Sequence, residues 1–155
     1  MQAGRVSKIV AAGVLVLSFG IAVAYAATAD DAIKGRQNCM KNGHGAMMGV
    51  LVPIIKGEKP YDAAAIQAAV AVNESACADW DKWWGADTMK GETLETWAKP
   101  EIWSDAKGFE AAGGKFYAAY LPVKNSTDEA SFKAAFPALG DACKGCHETF
   151  RKPKE

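Results

Sequence analysis

Apolar side chains recur at steps of three and four residues through most of the chain, which is the spacing of one face of an α-helix. Four segments show this period: 30–55, 61–84, 101–121 and 126–150. No stretch of the sequence shows the sustained alternation typical of a half-buried strand. The pattern therefore predicts an all-α protein.

The first and last of these helices have the clearest inward faces. In the first, the face comprises Ile33, Arg36, Met40, Met47, Leu51 and Ile54. In the last, it comprises Phe132, Phe136, Leu139, Cys143, Cys146 and Phe150, after a predicted capping box that joins Ser126 to Glu129. In the third, Trp103, Phe109, Phe116 and Tyr120 are candidate core residues, although the pair Gly113–Gly114 weakens that helix.

Short connections separate the first helix from the second and the third from the fourth. The sequence GEKP at 57–60 ends one helix and starts the next, and segment 85–99, where periodicity fades, predicts a longer loop. Helices joined by short turns are antiparallel neighbours. The predicted architecture is an antiparallel up-and-down four-helix bundle with one core.

The N-terminus has the order of a secretory signal peptide. Arg5 and Lys8 precede an uncharged apolar run, which leads to the small-residue pattern Ala24-Tyr25-Ala26. A retained membrane anchor is the alternative, but the cleavage pattern and the polar segment that follows favour removal. We therefore expect a signal peptide at 1–26, one domain at 27–155, and export to the periplasm without a membrane span in the mature chain.

Charge excludes one class of partner. The chain has 18 Lys plus Arg and 18 Asp plus Glu, interspersed along its length. A nucleic-acid-binding protein carries a basic patch or stripe, and the sequence has no such footprint.

The strongest chemical motif is Cys143-Lys144-Gly145-Cys146-His147. C-x-x-C-H is the attachment sequence of c-type haem, because both thiols can add to vinyl groups while the next imidazole binds the iron. Cys143 and Cys146 are thus predicted to form thioethers and His147 to be the axial iron ligand. Three alternatives explain the motif less well. A zinc site usually needs a second Cys/His pair, and a thioredoxin-like redox pair needs a βαβ context, both of which the sequence lacks. A simple disulfide would leave His147 without a role.

These residues resemble the class II cytochromes c, whose best-known members are the cytochromes c′. The resemblance lies in segments 31–37, 56–62, 100–105 and 143–151, which read DAIKGRQ, KGEKPYD, PEIWSD and CKGCHETFR. The haem motif near the C-terminus is the most specific of them. Cytochrome c′ is itself a standard up-and-down bundle, so the resemblance implies the same fold as the periodicity.

The resemblance places Met40 on the iron face opposite His147. In cytochromes c′ that face is vacant and shielded by an apolar residue, so the high-spin iron admits small gases such as NO and CO. In low-spin relatives a first-helix Met is the sixth ligand, which favours electron transfer. Met40 as a lid over a five-coordinate iron that binds gases and takes part in electron transfer is the favoured reading, and Met40 as sixth ligand is the alternative. His44, one turn further, is a conceivable second axial ligand, but a position at the surface or in a polar pocket is the favoured reading.

The resemblance also implies roles at the haem edge. Arg36 and Gln37 match positions that contact the propionates, and Thr96 is a weaker candidate. Arg151 matches a basic residue near the axial histidine. A homodimer through the first two helices is implied, the redox partner is not identified, and we expect a carrier rather than an enzyme because peroxidase-like acid–base groups are lacking. The five tryptophans either wall the haem or fill the core.

Two further cysteines lie at matching heights. Cys39 and Cys77 stand at similar distances from the 57–60 turn, on helices that leave it in opposite directions. In an oxidising compartment this position suggests a disulfide between the first two helices. Two separately buried thiols remain the alternative.

Overall fold

The computed structural model describes residues 28–153, and the predicted signal peptide lies outside the described residues. The first long helix runs as α1 (Ala29–Asn38), a π-helical segment (Cys39–Gly45) and α2 (Ala46–Ile55). After it come α3 (Ala63–Ala76), α4 (Glu101–Ser104), α5 (Ala106–Lys124) and α6 (Glu129–Phe150). Two 3₁₀ turns, Trp80–Trp83 and Ala86–Thr88, interrupt the loop between α3 and α4.

The bundle has the predicted four-helix topology. The first long helix, α3, α5 and α6 are its four rods; α2 packs on α3 and α5 packs on α6. Gly57 closes the first turn with φ of 73°, which a side chain would oppose, while its N–H donates to Ile54 and that of Glu58 donates to Pro53. The chain therefore reverses there within a few residues.

The aliphatic core occupies one half of the bundle. It contains Met47, Leu51, Ile54, Ile66, Ala69, Val70, Tyr120, Val123, Phe132 and Leu139. Complete burial of one Val, Leu, Ile, Phe or Met side chain contributes about 1.5–3 kcal/mol to the free energy of folding. Ile33 and Arg36, from the predicted face of the first helix, are buried at the other half, whereas Met40 is half-buried.

Three predicted boundaries are wrong. The second helix ends at Ala76 rather than near position 84, because Trp80 and Trp84 turn back to pack on Phe109. The third helix breaks at Asp105, whose side chain leaves the helical path and accepts the Gly108 N–H to start α5.

The third error concerns the start of α6. Its cap is Asp128, whose carboxylate accepts a hydrogen bond from the Ser131 N–H. In turn, the Ser131 hydroxyl oxygen accepts a hydrogen bond from the Asp128 N–H. Ser126 is instead buried, and its hydroxyl donates to the Val123 carbonyl at the end of α5. The predicted Ser126–Glu129 box is therefore displaced by two residues. The pair Gly113–Gly114, in contrast, lies inside an unbroken α5.

Within residues 28–153, each helix is too short or too polar to cross a membrane.

Candidate functional site

The last turns of α6 present the three residues of the predicted haem motif. Cys143, Cys146 and His147 are all half-buried, and neither thiol is bonded to another sulfur within the described chain. Burial raises the pKa of both thiols, with a further contribution from Cys146 at Cys143. The motif thus offers two protonated thiols and an imidazole on one side of a single helix.

The surroundings of His147 lower the pKa of its imidazole and so favour the neutral ring. Burial lowers its pKa from the ordinary value, and the positive charges of Arg151 and His44 add to the effect. Iron binds the neutral ring through a nitrogen lone pair. The site therefore holds His147 in the protonation state that a metal ligand requires.

Arg36 is buried in α1. Its guanidinium lies over the rings of Trp84 and Trp103, with Cζ 4.9 Å and 5.6 Å from the ring centroids. Nε donates to the Ala32 carbonyl and Nη2 to the Thr88 carbonyl. Burial lowers the pKa of this group, so the charge is desolvated rather than paired.

Three buried N–H donors near this half of the bundle have no hydrogen-bond partner within residues 28–153: Arg36 Nη1, Trp84 Nε1 and Arg151 Nε. Leaving such a donor unsatisfied costs about 1–3 kcal/mol, and more when it is charged. Arg36 and Trp84 are in direct contact. Each needs a hydrogen-bond acceptor, and a haem propionate is one, so the donors present fit a haem attached at Cys143 and Cys146.

The other predicted propionate contacts are Gln37, which is bonded to the 85–99 loop, and Thr96, which belongs to that loop. Gln37 is exposed, and its side-chain amide donates to the Glu95 carbonyl at 3.1 Å. The Thr96 hydroxyl accepts the Ala98 N–H at 3.2 Å. The two residues thus lie on adjoining segments, and their contact with a propionate stays a prediction.

Met40 lies in the π-helical segment, which the sequence pattern did not reveal. A π turn inserts an extra residue into the helix, and such insertions are frequent at functional sites.

The same helix approaches Trp83 so closely that a Cβ at Gly35 would lie 2.3 Å from the indole. Gly35 is therefore a residue that sequence reasoning missed, and its only sequence signal is a glycine inside a helical pattern.

His44 occupies a polar pocket, in agreement with the favoured reading of that residue. Its Nδ1 lies 2.5 Å from Asn73 Oδ1, and its ring centroid is 4.8 Å from that of Phe116. Burial lowers its pKa, and the Asn73 contact opposes the shift. Beside it, Cys39 and Cys77 form the predicted disulfide, with their Cα atoms 4.7 Å apart.

A shallow cavity beside His147 is lined mainly by cationic residues, of which only Arg151 was assigned a role from the sequence, near the axial histidine. The lining comprises Lys99, Lys144, His147, Glu148, Arg151, Lys152 and Pro153. The loop reaches this position through an antiparallel bridge between Ala98 and Arg151. Because Lys99 and Arg151 are far apart in sequence, no local pattern could have brought them together.

The chain matches a family model described as Cytochrome C′ over residues 31–151. A cytochrome c′ from Alcaligenes xylosoxydans xylosoxydans is 35% identical over 81% of this chain and 96% of that protein. A cytochrome c-556 from Rhodopseudomonas palustris is 34% identical over 92% of this chain and 95% of that protein.

Solved structures give the same result. Cytochrome c′ from Rubrivivax gelatinosus superimposes with a TM-score of 0.71 at 33% identity, covering 81% of this chain and 98% of that one. A nitric oxide complex of a variant of cytochrome c prime from Alcaligenes xylosoxidans has a TM-score of 0.65 at 33% identity, with 82% and 98% covered.

Proposed function

Since this chain belongs to the cytochrome c′ family and carries covalently attached haem c, we propose that it is an exported cytochrome with a five-coordinate, high-spin iron. With haem bound, the protein would take up the small gases NO and CO and take part in single-electron transfer. The observation that supports the haem site is the half-buried His147 beside two thiols that are not bonded to another sulfur, together with unpartnered donors on Arg36 and Trp84.

The residues divide the task of holding the cofactor. Cys143 and Cys146 anchor it, His147 supplies the axial nitrogen, and Arg36, with Gln37 and Thr96 at the loop, receives the propionates. When bound, the haem supplies a redox-active iron with one coordination position to spare.

Met40 acts as a lid in this proposal and not as a ligand. Its unbranched thioether side chain is flexible, so it can fill the space over the iron and yield to a diatomic molecule. The solved nitric oxide complex of the Alcaligenes protein supports gas binding in a relative at 33% identity. The alternative is a low-spin electron-transfer cytochrome in which Met40 is the sixth ligand.

The remaining expectations concern context. The signal-like N-terminus supports a periplasmic location, and the family resemblance supports a homodimer through the first two helices, which light scattering of the holoprotein tests. We assign no acid–base residue to catalysis. The protein is accordingly proposed as a binding and carrier protein, not an enzyme.

An absorption titration of the reduced holoprotein with carbon monoxide tests the open site. We expect a high-spin spectrum, one CO bound per haem, and the same spin state in Met40→Leu. Met48→Leu is the matched control, because Met48 is a half-buried methionine two turns further along the same helix. A native low-spin spectrum indifferent to CO, converted to high-spin by Met40→Leu alone, would establish the alternative.

A further inference from the structure

Four cationic residues surround His147 at the surface: Lys99, Lys144, Arg151 and Lys152, here called the basic patch. Glu148 is the one acidic residue in the same lining. The whole sequence balances 18 basic against 18 acidic side chains, so the patch is a local excess and not a reflection of net charge. A local excess of one sign steers oppositely charged partners.

The patch is held in place by the backbone. The Lys99 N–H donates to the Phe150 carbonyl at 3.0 Å, and the Lys152 N–H donates to the Trp97 carbonyl at 2.8 Å. Because loop and helix end are stitched together, the charges keep their relative positions. A partner that binds here loses little free energy in ordering this surface.

The ammonium groups of the basic patch contribute a positive electrostatic potential, but two of them already donate hydrogen bonds to backbone carbonyls. Lys99 Nζ donates to the carbonyls of Glu148 and Thr149, and Lys152 Nζ donates to the Thr96 carbonyl. Lys144 is 73% exposed and lies 3.8 Å from Glu148, an exposed pair that neutralises little. This arrangement suits an extended acidic surface better than one small anion gripped by converging donors.

Trp97 adds an aromatic anchor beside the charges. Its side chain is 50% exposed, and its carbonyl is bonded to Lys152. Exposed Trp together with Arg is typical of protein–protein contact regions. The same lining includes His147, the predicted iron ligand, so a partner seated here would lie close to the bound haem.

We propose that the basic patch, with Trp97, docks an acidic electron-transfer protein. The inference rests on the proposed function, because it names the partner class for its electron-transfer part. One electron passes from the partner's reduced flavin or iron–sulfur centre to the ferric iron; the centre is oxidised by one electron, the iron becomes ferrous, and no bond forms or breaks.

The test measures reduction of the ferric holoprotein by reduced flavodoxin, an acidic flavoprotein, in stopped flow at low ionic strength. Lys144→Glu should lower the second-order rate roughly three- to tenfold and flatten its dependence on salt. Lys133→Glu is the matched control: it lies on the same helix, about 16 Å away, and Lys133 is paired with Glu129 as Lys144 is with Glu148. The control should change the rate by less than twofold.

Equal slowing by both variants, or by neither, would overturn the proposal. So would inorganic phosphate at constant ionic strength, if it bound the native protein but not Lys144→Glu and blocked reduction, since the patch would then be a small-anion site. Binding to phosphatidylglycerol vesicles that Lys144→Glu abolished, with the flavodoxin rate unchanged, would assign the patch to a membrane surface and contradict the proposal.

The carbon monoxide titration is run on the same variants. This titration measures CO binding on the face of the iron opposite His147. The CO affinity and the spin state should be the same in both variants as in the native protein. A low-spin result there would overturn the gas-binding proposal and leave the rate comparison valid, whereas equal rates would overturn docking and leave gas binding intact.

Discussion

The guanidinium of Arg36 lies over the indole of Trp84, with Cζ 4.9 Å from the ring centroid. Each of the two side chains retains a buried N–H without a partner among the described residues. The Arg36 charge contacts aromatic faces and two backbone carbonyls but no carboxylate among the described residues, and a buried charge without a counterion is incompletely stabilised. The pair is therefore poised to receive an anionic group.

Arg36→Gln should lower the haem midpoint potential. Removing a positive charge near the iron favours the ferric state, and Coulomb's law at ~10 Å with an effective dielectric constant of about 20–40 gives a shift on the order of 50 mV. Potentiometric titration measures it. Lys34→Gln, which removes an exposed charge from the same helix, is the control; an equal shift in both variants would remove Arg36 from the haem edge.

The disulfide between Cys39 and Cys77 should contribute substantially to stability. It closes a loop with a sequence separation of 38 residues, for which the chain-entropy model gives about 4 kcal/mol. The double variant Cys39→Ser/Cys77→Ser should lose that much free energy of unfolding in urea. Thiol counting on denatured, unreduced native holoprotein should find none, and two reactive thiols would contradict the bridge.

His44 should make stability depend on pH. Burial holds its folded pKa below the unfolded value of about 6.5, so its contribution is complete above that value and is lost as pH falls towards the folded pKa. The loss is at most about 1.4 kcal/mol per pH unit. Urea unfolding of native protein and His44→Gln at pH 7.5 and 5.0 measures the difference; parallel losses in both proteins would exclude His44 as its source.

Asp30 should anchor the long loop. Its carboxylate accepts the N–H groups of Thr93 and Leu94 and the Thr93 hydroxyl, and that hydroxyl is the main reason its pKa is lowered. Asp30→Asn should speed hydrogen exchange at both amides. The contribution is present above the unfolded pKa of about 4 and disappears as pH falls through the folded pKa, where variant and native protein should converge.

The control for this prediction is Asp31→Asn. The Asp31 carboxylate contacts Thr28 at the start of α1 and not the loop. If both variants loosen Thr93 and Leu94 equally, fraying of the helix start and not the Asp30 contacts controls the loop.

Local signals were sufficient for the elements and the cofactor. The spacing of Met47, Leu51 and Ile54 is a property of a few consecutive turns, and C-x-x-C-H completes its chemistry within five residues. The sequence also suggested the disulfide, because helical rise and a short turn place Cys39 and Cys77 at one height, but only the structure showed that the two sulfurs face each other.

Boundaries that depend on distant partners were predicted wrongly. The helix through residue 84 was expected because its composition is helical, yet Trp80 leaves that path to pack on Phe109. Asp105 breaks the third helix through its own cap, and Asp128 replaces Ser126 because Ser126 is turned inward to the end of α5. Helical periodicity cannot weigh such contacts against propensity.

By itself, the sequence determined the helices, their short connections, the haem motif and the family, because each depends on residues close together in the chain. The tertiary structure alone decided that Arg36 meets Trp84, that Asp30 holds Thr93, and that Lys99 joins Arg151 beside His147. Those contacts join residues from separate elements, and burial and charge at a site are properties of the assembled bundle.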